Sequence, residues 1–207
     1  MSAKSKLAVL LSGGGTTLQN LIDHCHDGRL PADIVQVISN RPGAYGLERA
    51  RLAGIATTVI ERREQPSLEA FGERIFEVVR QSGADLVCLA GFMHYLPIPP
   101  DYAWRVLNIH PSLLPSFGGQ GMYGHHVHDA VLAFGAKVSG CTVHFADEHY
   151  DHGPIIEQRS CPVQSNDTVE RLAQRVFVEE CIAYPHAILR ILRGHWRLEG
   201  RRFVDEE

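Results

Sequence analysis

The stretch Leu7-Ala-Val-Leu-Leu-Ser-Gly-Gly-Gly-Thr-Thr17 decides the reading of the fold. Leu7 to Leu11 is a short continuous apolar run, the pattern of a strand covered on both faces. Three glycines follow at once, and Thr16 or Thr17 then caps a helix over Leu18 to Cys25. Leu18, Leu21, Ile22 and Cys25 fall on one face of that helix. A strand, a glycine turn and a helix in immediate succession are the opening of a parallel α/β sheet.

The pattern repeats outward from there. Ile34 to Ile38 and Thr57 to Ile60 read as strands, with a helix from Tyr45 to Ala53 between them. Ser67 to Gln81 reads as a helix, with Phe71, Ile75, Val78 and Val79 three or four apart, and Leu86 to Ala90 as a fourth strand. The second half changes style. Val106 to His110 is a strand, Pro111 to Gly124 a loop rich in Pro and Gly, and about His126 to Phe134 a helix. Val138 to Phe145 and Pro154 to Pro162 are longer strand patterns that can pair antiparallel. Asp167 is placed to cap a final helix reaching about Leu192, interrupted at Pro185. Residues 195–207 resemble a small hairpin tail around Glu199-Gly200. The expected fold is a single Rossmann-like α/β domain over residues 1–207. Its twisted sheet is mostly parallel, with helices on both faces and an antiparallel strand in the second half.

Composition narrows the class of function. A chain of 207 residues fits one large domain. With 44% apolar and 21% charged residues it is an ordinary globule, neither disordered nor collagenous. A net charge of -4 leaves no basic excess to neutralise a nucleic-acid backbone, so nucleic acid is not an expected partner. The five cysteines are odd in number and form no C-x-x-C, which points to reduced thiols and a cytoplasmic setting. No apolar run is long enough for a signal-peptide core or a membrane span, so no membrane role is expected. Twelve histidines are many, and composition does not say why.

Four segments carry candidate chemistry. Ser12 to Thr17 is a glycine turn opening a helix, a physical recipe for a phosphate site, the alternative being a tight turn without a ligand. It is neither a P-loop nor G-x-G-x-x-G. Asn108 and His110 are two apart on a strand and project to the same side, about 6.5–7 Å from each other. Pro111 puts them at the strand's carboxyl end, where an amide donor beside an imidazole suits an oxyanion and a moving proton. The turn from Asp147 to Pro154 brings Asp151 just ahead of a fixed Gly153-Pro154 bend. A carboxylate there orients or charges His110, unless the turn is simply a solvated acidic one. Gly124-His125-His126-Val127-His128 invites a metal reading, but His126 and His128 splay on a helix and no Cys or Glu completes a zinc set. No metal is expected. Gly91 to Leu96 follows the fourth strand and is either core or the wall of a flat apolar pocket.

Together these segments resemble one family. Ser12-Gly-Gly-Gly-Thr-Thr-Leu-Gln-Asn20, Ser39-Asn40, Gly46-Leu-Glu-Arg-Ala50 and Leu89-Ala-Gly-Phe-Met93 match it in order and spacing. So do Leu107-Asn-Ile-His-Pro-Ser-Leu-Leu-Pro115 and Asp151-His-Gly-Pro154. The chain is similar to the phosphoribosylglycinamide formyltransferases, folate-dependent enzymes of purine synthesis, from about residue 6 to about 192. The resemblance implies a catalytic trio of Asn108, His110 and Asp151. It implies phosphate binding by Gly14, Gly15, Thr16 and Thr17, and ribose contact by Glu180. Met93, His94, Tyr95, Leu96 and Asp147 would enclose the folate. Gly124, His126 and His128 would form a loop near the formyl group.

The implied co-substrate is 10-formyltetrahydrofolate and the implied acceptor glycinamide ribonucleotide, with no metal and a monomer or homodimer. The sequence also departs from the family. Leu68 stands where relatives carry an arginine that reaches the folate tail, Gly14 and Thr17 replace common asparagines, and the 118–124 loop is longer than in compact forms. A formyltetrahydrofolate hydrolase would use the same trio with water as acceptor but usually carries an extra amino-terminal domain. A length of 207 residues is expected to leave no room for it.

Overall fold

A computed structural model describes residues 4–206. By internal contacts the chain divides into two units, one up to Leu107 and one from Asn108 onward.

The first unit holds β1 (Ser5–Leu11), α1 (Thr16–His26), β2 (Ala32–Ser39), α2 (Tyr45–Leu52), β3 (Ala56–Val59), α3 (Leu68–Ser82) and β4 (Leu86–Leu89). Its strands lie in the order β3-β2-β1-β4, and every pair is parallel. The chain therefore steps from β1 out to β3 and returns on the other side of β1. That reversal falls between β1 and β4, and open parallel sheets take their ligands outside the carboxyl ends of strands at such a point. Leu7 to Leu11 are fully buried, as their unbroken apolar run requires. Helix α3 is capped by Ser67, whose hydroxyl accepts from Ala70 N, and stopped by Gly83 at φ 69°. It buries Phe71, Ile75, Phe76 and Val79 completely, each worth about 1.5–3 kcal/mol of transfer free energy.

Helix α1 differs from expectation at its start. Neither Thr16 nor Thr17 caps it. Gly15 occupies the cap in the left-handed region at φ 71°, without a side-chain bond, and both threonines lie inside the first turn. A Cβ on Gly15 would sit 2.6 Å from Gly46 Cα, so this crossing of loop and α2 is open only to glycine.

Strand β5 (Val106–His110) leads into the second unit. There follow α4 (His125–Phe134), β6 (Val138–Phe145), β7 (Ile155–Pro162), α5 (Val169–Arg193), β8 (Trp196–Glu199) and β9 (Arg202–Asp205). The strand order is β5-β6-β7-β9-β8, with β6–β7 and β8–β9 antiparallel and β7–β9 parallel. Helix α5 packs on β6 and β7. Two expectations are corrected here. Thr168, not Asp167, caps α5 through its hydroxyl, while Asp167 is held by both Arg175 nitrogens at 2.6 and 2.8 Å. Nor does Pro185 interrupt α5, because apolar residues on both sides of it (Leu172, Val176, Ala187, Ile188) are fully buried. Their packing outweighs the roughly 3 kcal/mol that an interior proline costs. The tail is the expected hairpin, with Trp196 stacked on Phe203 at 5.4 Å and tilted against Phe145 at 5.3 Å.

Candidate active site

In the first unit the glycine turn is stitched to the segment that follows β4. Ser12 N donates to Gly91 O at 3.0 Å, and Ser12 Oγ accepts from Met93 N at 2.8 Å. Gly46 N donates to Gly13 O at 3.0 Å and fixes the turn against α2. Gly14 is exposed, Gly15 sits at the helix cap, and Thr16 and Thr17 open α1. The first turn of a helix has N–H groups without helical partners and carries a partial positive charge. Arg49 adds a full charge beside them. Its Nε donates to Gly14 O at 2.9 Å, its Nη1 to Gln19 at 3.2 Å, and its guanidinium lies 5.1 Å over the Tyr45 ring. Sequence reasoning missed Arg49, although the resemblance had quoted its segment.

The residues after β4 divide. Met93 is 42% exposed and His94 is exposed, whereas Leu96 is buried and belongs to the core. The His94 ring meets Phe71 edge-on at 5.8 Å. Partial burial, with Arg41 and Arg62 nearby, holds its imidazole below the ordinary histidine range. Tyr95 is half-buried between them.

In the second unit β5 ends with Asn108 and His110 turned to one side and Ile109 buried in the sheet, as the strand period demands. His110 is 3% exposed. Its Nε2 donates to Phe117 O at 2.9 Å, so that nitrogen carries the proton. Its Nδ1 faces Asp151 Oδ2 at 3.4 Å. Asn108 Nδ2 donates to Asp151 Oδ1 at 3.3 Å and lies 3.1 Å from His144 Nε2. Gly119 N closes the ring of contacts by donating to Asp151 Oδ2 at 2.9 Å. The three residues predicted as a trio therefore meet.

His144 joins them, and sequence reasoning did not single it out. Its Nδ1 lies 2.7 Å from Phe145 O, a pure acceptor, which leaves Nε2 to accept from Asn108. A bulge between Val143 and His144 turns this side chain toward Asn108. The available signal was a lone titratable residue inside the apolar run Cys141 to Phe145.

The electrostatics follow from burial. Desolvation lowers the pKa of His110 below the ordinary histidine value, and Asp151 opposes that shift without cancelling it. Burial thus favours the uncharged ring, whose Nδ1 side faces the carboxylate. For Asp151, burial acts to raise the pKa, but His144, His110 and Gly119 N–H together hold it below the usual carboxylate range. Asp151 is also strained, at φ 52° in the left-handed region, as is Phe117 at φ 55°. The loop holding Phe117 is pinned by Thr142. Its Oγ1 donates to Ser112 O at 2.7 Å and accepts from Leu114 N and Gln158 Nε2, both at 3.0 Å.

The Gly124-His-His-Val-His128 segment opens α4, with Gly124 at its cap. His128 is buried, its Nδ1 has no hydrogen-bond partner, and desolvation with His125 and His110 nearby lowers its pKa to about 4. His126 is exposed, and its ring meets that of Tyr123 edge-on at 5.2 Å. The expected splay is present, and His128 alone of the pair lies near His110. Asp147 sits in the β6–β7 turn, accepting from His149 N at 2.9 Å. Glu180 lies on α5, and desolvation pushes its carboxyl up to about 7.

Comparison with known proteins gives the family. Residues 5–188 match the formyl transferase family model. The chain belongs to the formyl transferase family. This formyl transferase resembles glycinamide ribonucleotide transformylase 1 of Symbiobacterium toebii at 43% identity and a TM-score of 0.91, covering 99% of this chain and 95% of that one. It is 41% identical over 202 residues to a chloroplastic phosphoribosylglycinamide formyltransferase of Arabidopsis thaliana, covering 95% of this chain and 69% of that protein. It is 45% identical over 197 residues to the trifunctional purine biosynthetic protein adenosine-3 of Bos taurus. That match takes in 94% of this formyl transferase but only 19% of the bovine protein's length. Among the described residues, no helix is long and apolar enough to cross a membrane.

Proposed function

We propose that the protein transfers the formyl group of 10-formyltetrahydrofolate to the amino group of glycinamide ribonucleotide. The products are formylglycinamide ribonucleotide and tetrahydrofolate, in de novo purine synthesis. The observation that carries this reading is the meeting of buried His110 with half-buried Asn108 and Asp151, where Asn108 Nδ2 donates to Asp151 Oδ1 and the other carboxylate oxygen lies 3.4 Å from His110 Nδ1.

The amine nitrogen attacks the formyl carbon, and the carbonyl electron pair moves to oxygen. Asn108 meets that oxygen by exchanging its long 3.3 Å bond to Asp151 for a bond to substrate. The proton leaving the amine passes by way of the His110–Asp151 pair to N10 of the folate. The oxyanion's electron pair then re-forms the carbonyl as the carbon–N10 bond breaks, and the pair of that bond leaves with the protonated nitrogen. Asp151 keeps its charge throughout and stabilises the imidazolium that forms transiently. Gly14, Gly15, Thr16 and Thr17 hold the ribonucleotide phosphate, aided by Arg49. Glu180 contacts the ribose. Met93, His94, Tyr95, Leu96 and Asp147 line the folate, Leu96 from the core side. Gly124, His126 and His128 stand near the formyl group, with His128 the inner member. This reading takes both units to act as one catalytic domain, in a monomer or homodimer. All five cysteines are free thiols, which fits action in the cytoplasm.

The test follows folate absorbance with 10-formyl folate present, with and without glycinamide ribonucleotide. Turnover that requires the nucleotide is expected. Nucleotide-independent deformylation would mean water is the acceptor, and no change in either case would mean a silent binding module.

A further inference from the structure

Three ligand-type side chains outside the trio meet on the turn between β6 and β7. Asp147, His149 and His152 each offer one donor atom, and these atoms lie within 4.8 Å of one another. The arrangement is built into the turn. Asp147 Oδ1 accepts from His149 N at 2.9 Å, which leaves Oδ2 facing His152 Nδ1 at 3.3 Å. The two imidazole rings stand edge-on, 5.4 Å apart. Gly153 closes the base of the turn: a Cβ there would lie 1.9 Å from Phe145 O and 3.6 Å from Asp147 Cγ.

Metal geometry can be set against these distances. Zinc holds imidazole nitrogen and carboxylate oxygen at about 2.0–2.2 Å, so two ligand atoms of a tetrahedral ion stand about 3.4 Å apart. Asp147 Oδ2 and His152 Nδ1 already have that spacing. The His149 ring nitrogen lies within 4.8 Å of both, and turning its exposed ring inward brings it toward the same spacing.

We propose that this turn binds one late divalent transition ion of the zinc class. The ligands are Asp147 Oδ2, a ring nitrogen of His149 and His152 Nδ1, with water in the fourth position. Two imidazoles with one carboxylate suit such an ion and not magnesium or calcium, which take all-oxygen shells. A competitor is also present. Arg201 Nη1 lies 3.2 Å from both ring nitrogens of His152, and its Nη2 donates to His152 O. The guanidinium and the ion compete for the same ring, so Arg201 limits the affinity. The ligands bracket Asp151 on both sides. A bound ion therefore fixes the strained backbone that carries the catalytic carboxylate. The site shares Asp147 with the folate lining proposed above, and its test reads zinc uptake alone.

The test uses the untagged full chain, titrated with Zn²⁺ against a chromophoric chelator. It is run beside the His149→Gln/His152→Gln double variant and Arg201→Gln. The remaining histidines and the five thiols are common to all three proteins, so the differences isolate the turn. Expected results are the loss of one equivalent of zinc in the double variant and tighter retention of it in Arg201→Gln. Zinc should also raise the melting temperature of the unaltered protein more than that of the variant. Equal uptake by the unaltered protein and the folded double variant overturns the proposal. If the double variant does not fold, His149→Gln alone, at an exposed position, gives the same comparison.

Discussion

The glycine turn and the Asn108–His110–Asp151 cluster are built on opposite principles. The turn offers backbone N–H groups at a helix start, with Gly14 exposed and Arg49 beside it. The cluster offers buried and half-buried side chains, with His144, Asn108, Asp151 and the Gly119 N–H already hydrogen-bonded in series. A phosphate brings its own charge and needs unmet donors to receive it. A charge that develops only in the transition state needs groups whose positions are set beforehand. The first region is thus open and the second is closed, and mutations in each should fail differently.

The largest effect is expected in the cluster. Asn108→Ala and His110→Ala should each lower turnover by about 10²–10³ or more with the fold intact, checked by steady-state rates and circular dichroism. Near-normal turnover in folded Asn108→Ala would break the contrast. In the turn, Gly15→Ala places a Cβ 2.6 Å from Gly46 Cα on a left-handed backbone. It should cost about 1–2 kcal/mol of stability and act mainly on KM for the ribonucleotide, a split that initial-rate kinetics would read. An equal fall in kcat would blur the two regions.

Thr142→Val leaves Leu114 N and Ser112 O without their partner. About 1–3 kcal/mol should be lost in urea denaturation, with a smaller fall in kcat than for Asn108→Ala. The smallest effect concerns Glu180. Its folded pKa near 7 exceeds the ordinary 4.5, so its contribution to stability is full below about 4.5 and is lost as pH rises through about 7. Glu180→Gln should flatten that decline, measured as denaturation midpoints on either side of the window.

Much of this was legible in the chain. Strong periodicity located β1 to β7 and α1 to α5, with Val106–His110 and Val138–Phe145 read to the residue, and the Glu199-Gly200 turn located the hairpin of β8 and β9. The trio was legible because its members sit at a strand end and a Gly-Pro bend, and because the motif resembles a known family. The misses have physical reasons. Asp167 and Thr168 are both good caps, and only the tertiary ion pair with Arg175 diverts the former. Pro185 breaks a helix in isolation, but burial on both sides overrides that preference. His144 and Arg49 act through contacts 36 and 35 residues away in the chain, beyond the reach of any local pattern.

Thr142 has one more consequence. Loop amides normally exchange their hydrogens with solvent almost as fast as an unfolded chain does. Leu114 lies in the loop after β5, yet its N–H is buried against a strand hydroxyl. Its deuterium uptake should follow the opening of β6, so one slow amide in a fast segment reports whether the ground beneath His110 is still in place.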